Sequence, residues 1–176
     1  MELLLSAHDT RATRFTLSTG QALYETKTPE PDVKHPKTIS IKKLEKKGVE
    51  RDMAFIEFHK LHDDVCRVWG TDVQPKKEGL FTSSSEKSFT ASDGNKYIWN
   101  IESPGCAELQ NASGTPIAVS SKAPLSLQIK LSIEDPGLVI LDEIVATFVV
   151  ADQWARMTDA GFDDPVLFKS IKYCLL

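Results

Sequence analysis

The chain has 176 residues, 41% hydrophobic and 26% charged, which favours one ordinary globular domain able to bury a core without staples. A net charge of −4 argues against nucleic acid as a partner. Its three cysteines, Cys66, Cys106 and Cys174, are far apart and form no CxxC pair, so a metal or disulfide framework is not expected and reduced thiols in the cytoplasm are.

The N-terminus offers only three consecutive leucines, Leu3 to Leu5, preceded by Glu2. That is too short and wrongly charged for a secretion signal. No stretch approaches the roughly 20 apolar residues of a membrane span. Cys174 is third from the end, so the C-terminus is not a prenylation box.

Strand-like runs separated by turn signals then follow one another, as in an all-β fold. Arg14 to Thr19 alternates, with Phe15 and Leu17 on one face, and Gly20-Gln21 turns the chain into Ala22 to Thr28. Thr28 to Pro36 carries three prolines and reads as a loop. Thr38 to Leu44 alternates through Ile39 and Ile41, and Lys46-Lys47-Gly48 is a polar turn. Met53 to Phe58 and Val65 to Trp69 are further strands, and Gln74 to Gly79 is a loop.

Ser88 to Ala91 and Lys96 to Ile101 flank Asp93-Gly94. This is the strongest short-range hairpin signal, because both central residues of such a turn need positive φ. Cys106 to Gln110 and Pro116 to Ser120 form a second hairpin around Asn111-Ala112-Ser113-Gly114. Asn111-Ala112-Ser113 matches a glycosylation sequon but reads as a turn, since no secretion signal accompanies it. Leu125 to Ile133 alternates cleanly, with Leu125, Leu127, Ile129, Leu131 and Ile133 on one face.

The period then changes. From Asp142 to Met157, Ile144, Val145, Phe148 and Val149 recur at helical spacing while Ala146, Val150 and Ala151 fill the other side. Asp142 and Glu143 suit a helix N-terminus. A helix apolar nearly all round is a buried one. It would be about 24 Å long, enough to cross a small barrel. Its β-branched residues leave a strand open, but the length of the run favours helix. The apolar tail from Val166 to Leu176 is expected to pack back on the domain or to bind a partner, a second copy included.

Four segments occur together in order: Ile56-Glu57-Phe58-His59, Pro75-Lys76-Lys77-Glu78-Gly79-Leu80-Phe81, Phe89 to Trp99 and Leu141 to Val149. The combination resembles a family of uncharacterised proteins common in mushroom-forming fungi, over roughly residues 10–157. That family brings no established function, so no site residue is carried over. Its order of many strands and then a helix is similar to tubby-like and scramblase-like barrels. The resemblance implies a mainly β fold, an antiparallel barrel around a C-terminal hydrophobic helix. The alternative is an α+β sheet with one helix packed on its face. The domain would be residues 1–157, with 158–176 as an extension.

Two clusters carry candidate chemistry. His59, His62, Asp63 and Asp64 have metal-ligand residue types, but on a strand His59 and His62 point to opposite faces. Cys66 as a nucleophile needs an imidazole and a third orienting group. A polar strand end and a buried structural cysteine are the simpler expectations, with no metal and no cofactor. A small enzyme built on these residues is one alternative function, and a self-associating structural protein is the other.

The other cluster is basic. Lys34, Lys37, Lys42, Lys43, Lys46, Lys47 and Arg51 stand against Glu45 and Glu50, while Glu134 to Asp164 is strongly acidic. A basic hairpin attracts anionic lipid headgroups. Lysines also protect a solvated sheet edge from aggregation. Some tubby-like domains bind phosphoinositides, so the resemblance favours the former. The expected function is a non-enzymatic binding protein for anionic lipid headgroups or a protein partner. Lys42, Lys43, Lys46, Lys47 and Arg51 are its site residues. It would be cytoplasmic, at most peripheral to a membrane.

Overall fold

The computed structural model describes residues 1–29, 38–45, 48–59, 63–76, 86–123, 126 and 128–159. Lys34, Lys37, Lys46, Lys47, His62, Cys174 and the tail from Val166 lie outside the described residues, as do Leu125 and Leu127.

Twelve strands precede one long helix. The strands are β1 (Glu2–Leu5), β2 (Arg14–Leu17), β3 (Ala22–Lys27), β4 (Thr38–Leu44), β5 (Glu50–Glu57) and β6 (Val65–Val68). They continue as β7 (Thr71–Asp72), β8 (Glu86–Thr90), β9 (Lys96–Ser103), β10 (Cys106–Asn111), β11 (Pro116–Lys122) and β12 (Ile129–Ile133). A 3-10 turn, Asp135–Ile140, leads directly into α1 (Leu141–Asp159).

The fold is mainly β. All twelve strands form one antiparallel sheet in the order β7-β6-β5-β4-β3-β2-β1-β12-β11-β10-β9-β8. Consecutive strands pair with each other except β7 and β8, and β1 closes on β12 through Leu3 opposite Leu131. The ladder has two ends, β7 and β8, and is not a continuous closed barrel. Among the described residues one bridge links the region of those ends: Lys76 N–H donates to Ser88 O at 2.7 Å and Ser88 N–H to Lys76 O at 2.9 Å.

Strand alternation points one face inward. Leu3, Phe15, Tyr24, Ile39, Ile41, Ile56, Cys66, Trp99, Leu109 and Leu131 are fully buried. These strands enclose α1, in which residues 143–153 are all buried. Phe148 shows the curvature required. Its ring lies 6.5 Å from that of Phe15 in β2 and 5.9 Å from that of Trp99 in β9. The two strands are five steps apart in the ladder, about 24 Å in a flat sheet at roughly 4.8 Å per step. Both reach one helical side chain only because the sheet curls around the helix. A helix laid on one face of a flat sheet would keep a solvent face, which residues 143–153 lack.

Polar side chains on α1 fasten it to the sheet along its length. Trp99 Nε1–H donates to Thr147 Oγ1 at 3.0 Å. Further along, Asp152 accepts from Thr10 Oγ1 at 2.7 Å and from the Gly105 amide at 2.8 Å. Trp154 Nε1–H reaches Asp64 Oδ2 at 2.7 Å. The two ends of α1 therefore define two ends of the fold. The turns β2–β3, β4–β5, β6–β7 and β8–β9 gather where α1 begins.

Two expectations need correction. The Asp93-Gly94 hairpin forms, but only Gly94 has positive φ, at 80°. The loop spans Ser92, Asp93 and Gly94, closed by Ala91 N–H to Asn95 O at 3.0 Å, so it is a three-residue turn with glycine in the left-handed position. The last strand begins at Ile129, since Ser126 is in a turn. Leu3 to Leu5, read in the sequence only as too short for a secretion signal, belongs to β1, and Leu3 and Leu5 are in the core. The expectation at Asn111 holds. Its side chain caps a turn by accepting from Ser113 N–H at 3.1 Å and Thr115 N–H at 2.9 Å.

Candidate binding face

The basic hairpin exists as β4–β5, and its described cations, Lys42, Lys43 and Arg51, each face a carboxylate. Lys42 and Lys43 are adjacent on β4 and so project to opposite faces. Lys42 Nζ faces Glu50 Oε2 at 2.9 Å, and Arg51 Nε faces Glu45 Oε1 at 3.2 Å. Both pairs lie on the surface, where ion pairs are weak and screened. Lys46 and Lys47 lie outside the described residues.

Lys43 instead turns toward the start of α1. Its Nζ lies 2.8 Å from Asp142 Oδ1 and 2.9 Å from Oδ2, and 5.9 Å from the centre of the Tyr24 ring. Asp142 also accepts from Tyr24 Oη–H at 2.6 Å and Trp69 Nε1–H at 2.8 Å. One carboxylate thus joins β3, β4 and the β6–β7 turn to the helix. Burial alone would raise its carboxyl, but the hydrogen bonds from Lys43, Tyr24 and Trp69 outweigh burial and hold it below the ordinary carboxylate range. Burial and the neighbouring Asp142 push the Tyr24 phenol well up.

Trp69 is the unusual residue. It occupies the β6–β7 turn with φ of 50°, followed by Gly70 at 82°. Val68 pairs with Thr71 across this two-residue loop. Both central residues are therefore left-handed, a geometry normally filled by Asn-Gly or Asp-Gly. An ordinary side chain there costs about 1–2 kcal/mol. Despite that cost, a tryptophan sits at the turn with 49% of its surface exposed. Its amide is anchored to Met53 O at 2.8 Å and its indole N–H to Asp142.

Across from Trp69, the 3-10 turn carries Leu138 and Val139, 39% and 75% exposed. Together with Lys43, Val68, Ser92 and Asp142 these side chains border a cleft of about 340 Å³ above the helix N-terminus. Val49, 47% exposed, lies in the neighbouring β4–β5 turn. The arrangement can hold an apolar or amphiphilic group against a rigid, hydrogen-bonded floor.

The His59 region offers less. The backbone N–H of His59 donates to Asp64 Oδ1 at 2.8 Å, and Asp63 is exposed. Cys66 faces the core with no exposed surface, and burial, with a contribution from Asp72, pushes its thiol up to about 12. Such a thiol is not poised as a nucleophile. Among the described residues no group of three His, Cys, Asp or Glu side chains could hold a metal ion.

A known domain family matches residues 8–157, all but the first strand and the last two residues of α1. The chain belongs to the DUF6593 family, a family of unknown function. No curated protein and no solved structure matches it. The DUF6593 match covers Lys42, Lys43, Arg51, Trp69, Leu138, Val139 and Asp142, so the whole binding face lies within it.

Sequence reasoning singled out Lys43 and Arg51 and read Asp142 only as a helix-start residue. It missed Trp69 as a site residue, and Leu138 and Val139 altogether. The available signal was Trp69-Gly70 standing between two strand segments, a bulky residue where a turn usually takes a small polar one.

Proposed function

We propose that this chain is a non-enzymatic binding protein that docks peripherally on anionic lipid headgroups, using the end of the fold where α1 begins. The observation that carries this reading is the β4–β5 hairpin. Trp69 N–H bonds to Met53 O, and β5 runs on past that level to Val49, about 13 Å further along the strand. The hairpin from Lys42 to Asp52 carries five basic residues against three acidic ones. Its exposed ion pairs exchange readily for phosphate oxygens, because surface pairs are weak. No helix among the described residues is long and apolar enough to cross a membrane, which suits peripheral docking. The core position of Cys66 supports binding over catalysis.

For the fold we favour a tubby-like barrel threaded by α1. The Lys76–Ser88 bridge near the two ends of the ladder and the burial of residues 143–153 support it. The lipid reading rests on the site, since a fold does not specify function.

The test is sedimentation with phosphatidylcholine vesicles, with and without phosphatidylserine. The full chain should bind the anionic vesicles preferentially. Reversing Lys42, Lys46 and Lys47 to glutamate should weaken that binding about a hundredfold. Lys43 is kept, because it holds Asp142, so the melting temperature of the variant should match the wild type. Equal binding to both vesicles, or none, would overturn the reading.

A further inference from the structure

Among the described residues, four of the seven large exposed apolar side chains lie at one end of the fold: Val49, Trp69, Leu138 and Val139. They come from three separate turns: β4–β5, β6–β7 and the 3-10 segment before α1. Trp69, Leu138 and Val139 border the same cleft. We propose that these turn tips insert into the interfacial layer of the bilayer, so that docking is driven by apolar contact as well as by headgroup charge. This deepens the lipid reading and rests on it.

The electrostatics at this end require such a contribution. Lys42, Lys43 and Arg51 each already face a carboxylate, and Asp142 and Glu143 are the acids that border the cleft. Cation attraction is partly spent within the protein. Trp69 is built for the other task. Its indole N–H is already satisfied by Asp142, so the exposed ring presents mainly carbon. Tryptophan is enriched at membrane interfaces for its amphipathic ring.

The shape also favours a lipid surface. The four exposed side chains stand on three separate turns and do not make one flat apolar face. A stable protein interface takes roughly 800 Å² from each partner. Separate tips, with Lys43 bordering the cleft between two of them, suit a soft surface that closes around each one. Membrane-surface elements share that pairing of apolar residues with cations.

The experiment uses the full chain, phosphatidylserine–phosphatidylcholine vesicles, and matching vesicles with brominated acyl chains. Insertion predicts that Trp fluorescence is quenched by the brominated lipid and that binding partly survives high salt. It predicts that Val49→Asp combined with Val139→Asp lowers vesicle partitioning about tenfold with an unchanged melting temperature. Trp69→Phe should remove most of the quenching, which assigns it to that ring. If the chain binds anionic vesicles but high salt abolishes binding, no quenching occurs and the double variant binds normally, insertion is wrong while the headgroup reading stands. A face that serves a protein partner or a second copy would give the same normal binding by the double variant, and would equally overturn insertion. If no vesicle is bound, both readings fail.

Discussion

Replacing Phe148 with alanine is expected to destabilise the protein by about 3–5 kcal/mol. Phe148 has no exposed surface and sits between Phe15 and Trp99. Those two rings come from strands five positions apart in the sheet. Truncation opens a cavity at the one point where both walls meet the helix, and relaxation from either wall would break its own ladder. Whole domains are stable by only about 5–15 kcal/mol, so the urea midpoint should fall sharply with little change in slope. A loss under about 1 kcal/mol would mean that the helix is not the centre of the core.

Asp152→Ala is the second large effect, expected near 3 kcal/mol. Its carboxylate has no exposed side-chain surface and faces Arg156 Nε at 2.7 Å. It also accepts from Thr10 Oγ1 and from the Gly105 amide. Removing it takes the carboxylate from the Arg156 guanidinium, which keeps its bond to His8 O, and leaves the Thr10 hydroxyl and the Gly105 amide without that acceptor. Arg156 retains 24% exposure and recovers some hydration, which keeps the cost at the low end for a broken buried pair. The loop ahead of β2 is held by the same network, since Gln153 Nε2–H donates to Thr10 Oγ1 at 2.9 Å. Amide exchange around residues 10–13 should therefore accelerate in the variant beyond the global change. Equal stability by thermal unfolding would contradict this account of the far end of the helix.

Much of the fold was legible because burial in a sheet has a period of two. Ile39 and Ile41, Phe15 and Leu17, and Ile129, Leu131 and Ile133 all announce their strands that way. The change of period after Asp142 likewise marked α1 within one residue at its start and two at its end. The strands β7 and β1 were harder. β7 is too short to show alternation, and β1 has three leucines, two buried and one partly so. Whether the sheet curls depends on contacts between distant strands, such as Phe15 and Trp99 meeting Phe148, which no local pattern records.

The site was legible by charge and not by shape. A run of lysines is visible in any sequence, but which acid each one meets is not. Lys43 finds Asp142, 99 residues away, and leaves the surface patch to become part of the floor. Val139 reads as one more apolar residue before a helix, and only the 3-10 turn shows that it points outward. Trp69 looked like the end of a strand, whereas two left-handed residues make it the tip of a turn.

Hydrogen exchange of the full chain, free and on phosphatidylserine–phosphatidylcholine vesicles, tests most directly which end meets a membrane. The account predicts slowed exchange in the β4–β5 turn around residues 45–52, in the β6–β7 turn at 69–71 and at 137–141. Residues 8–13 and 103–106, at the other end of α1, should be unchanged. Protection confined to that other end, or equal protection at both ends, would contradict it.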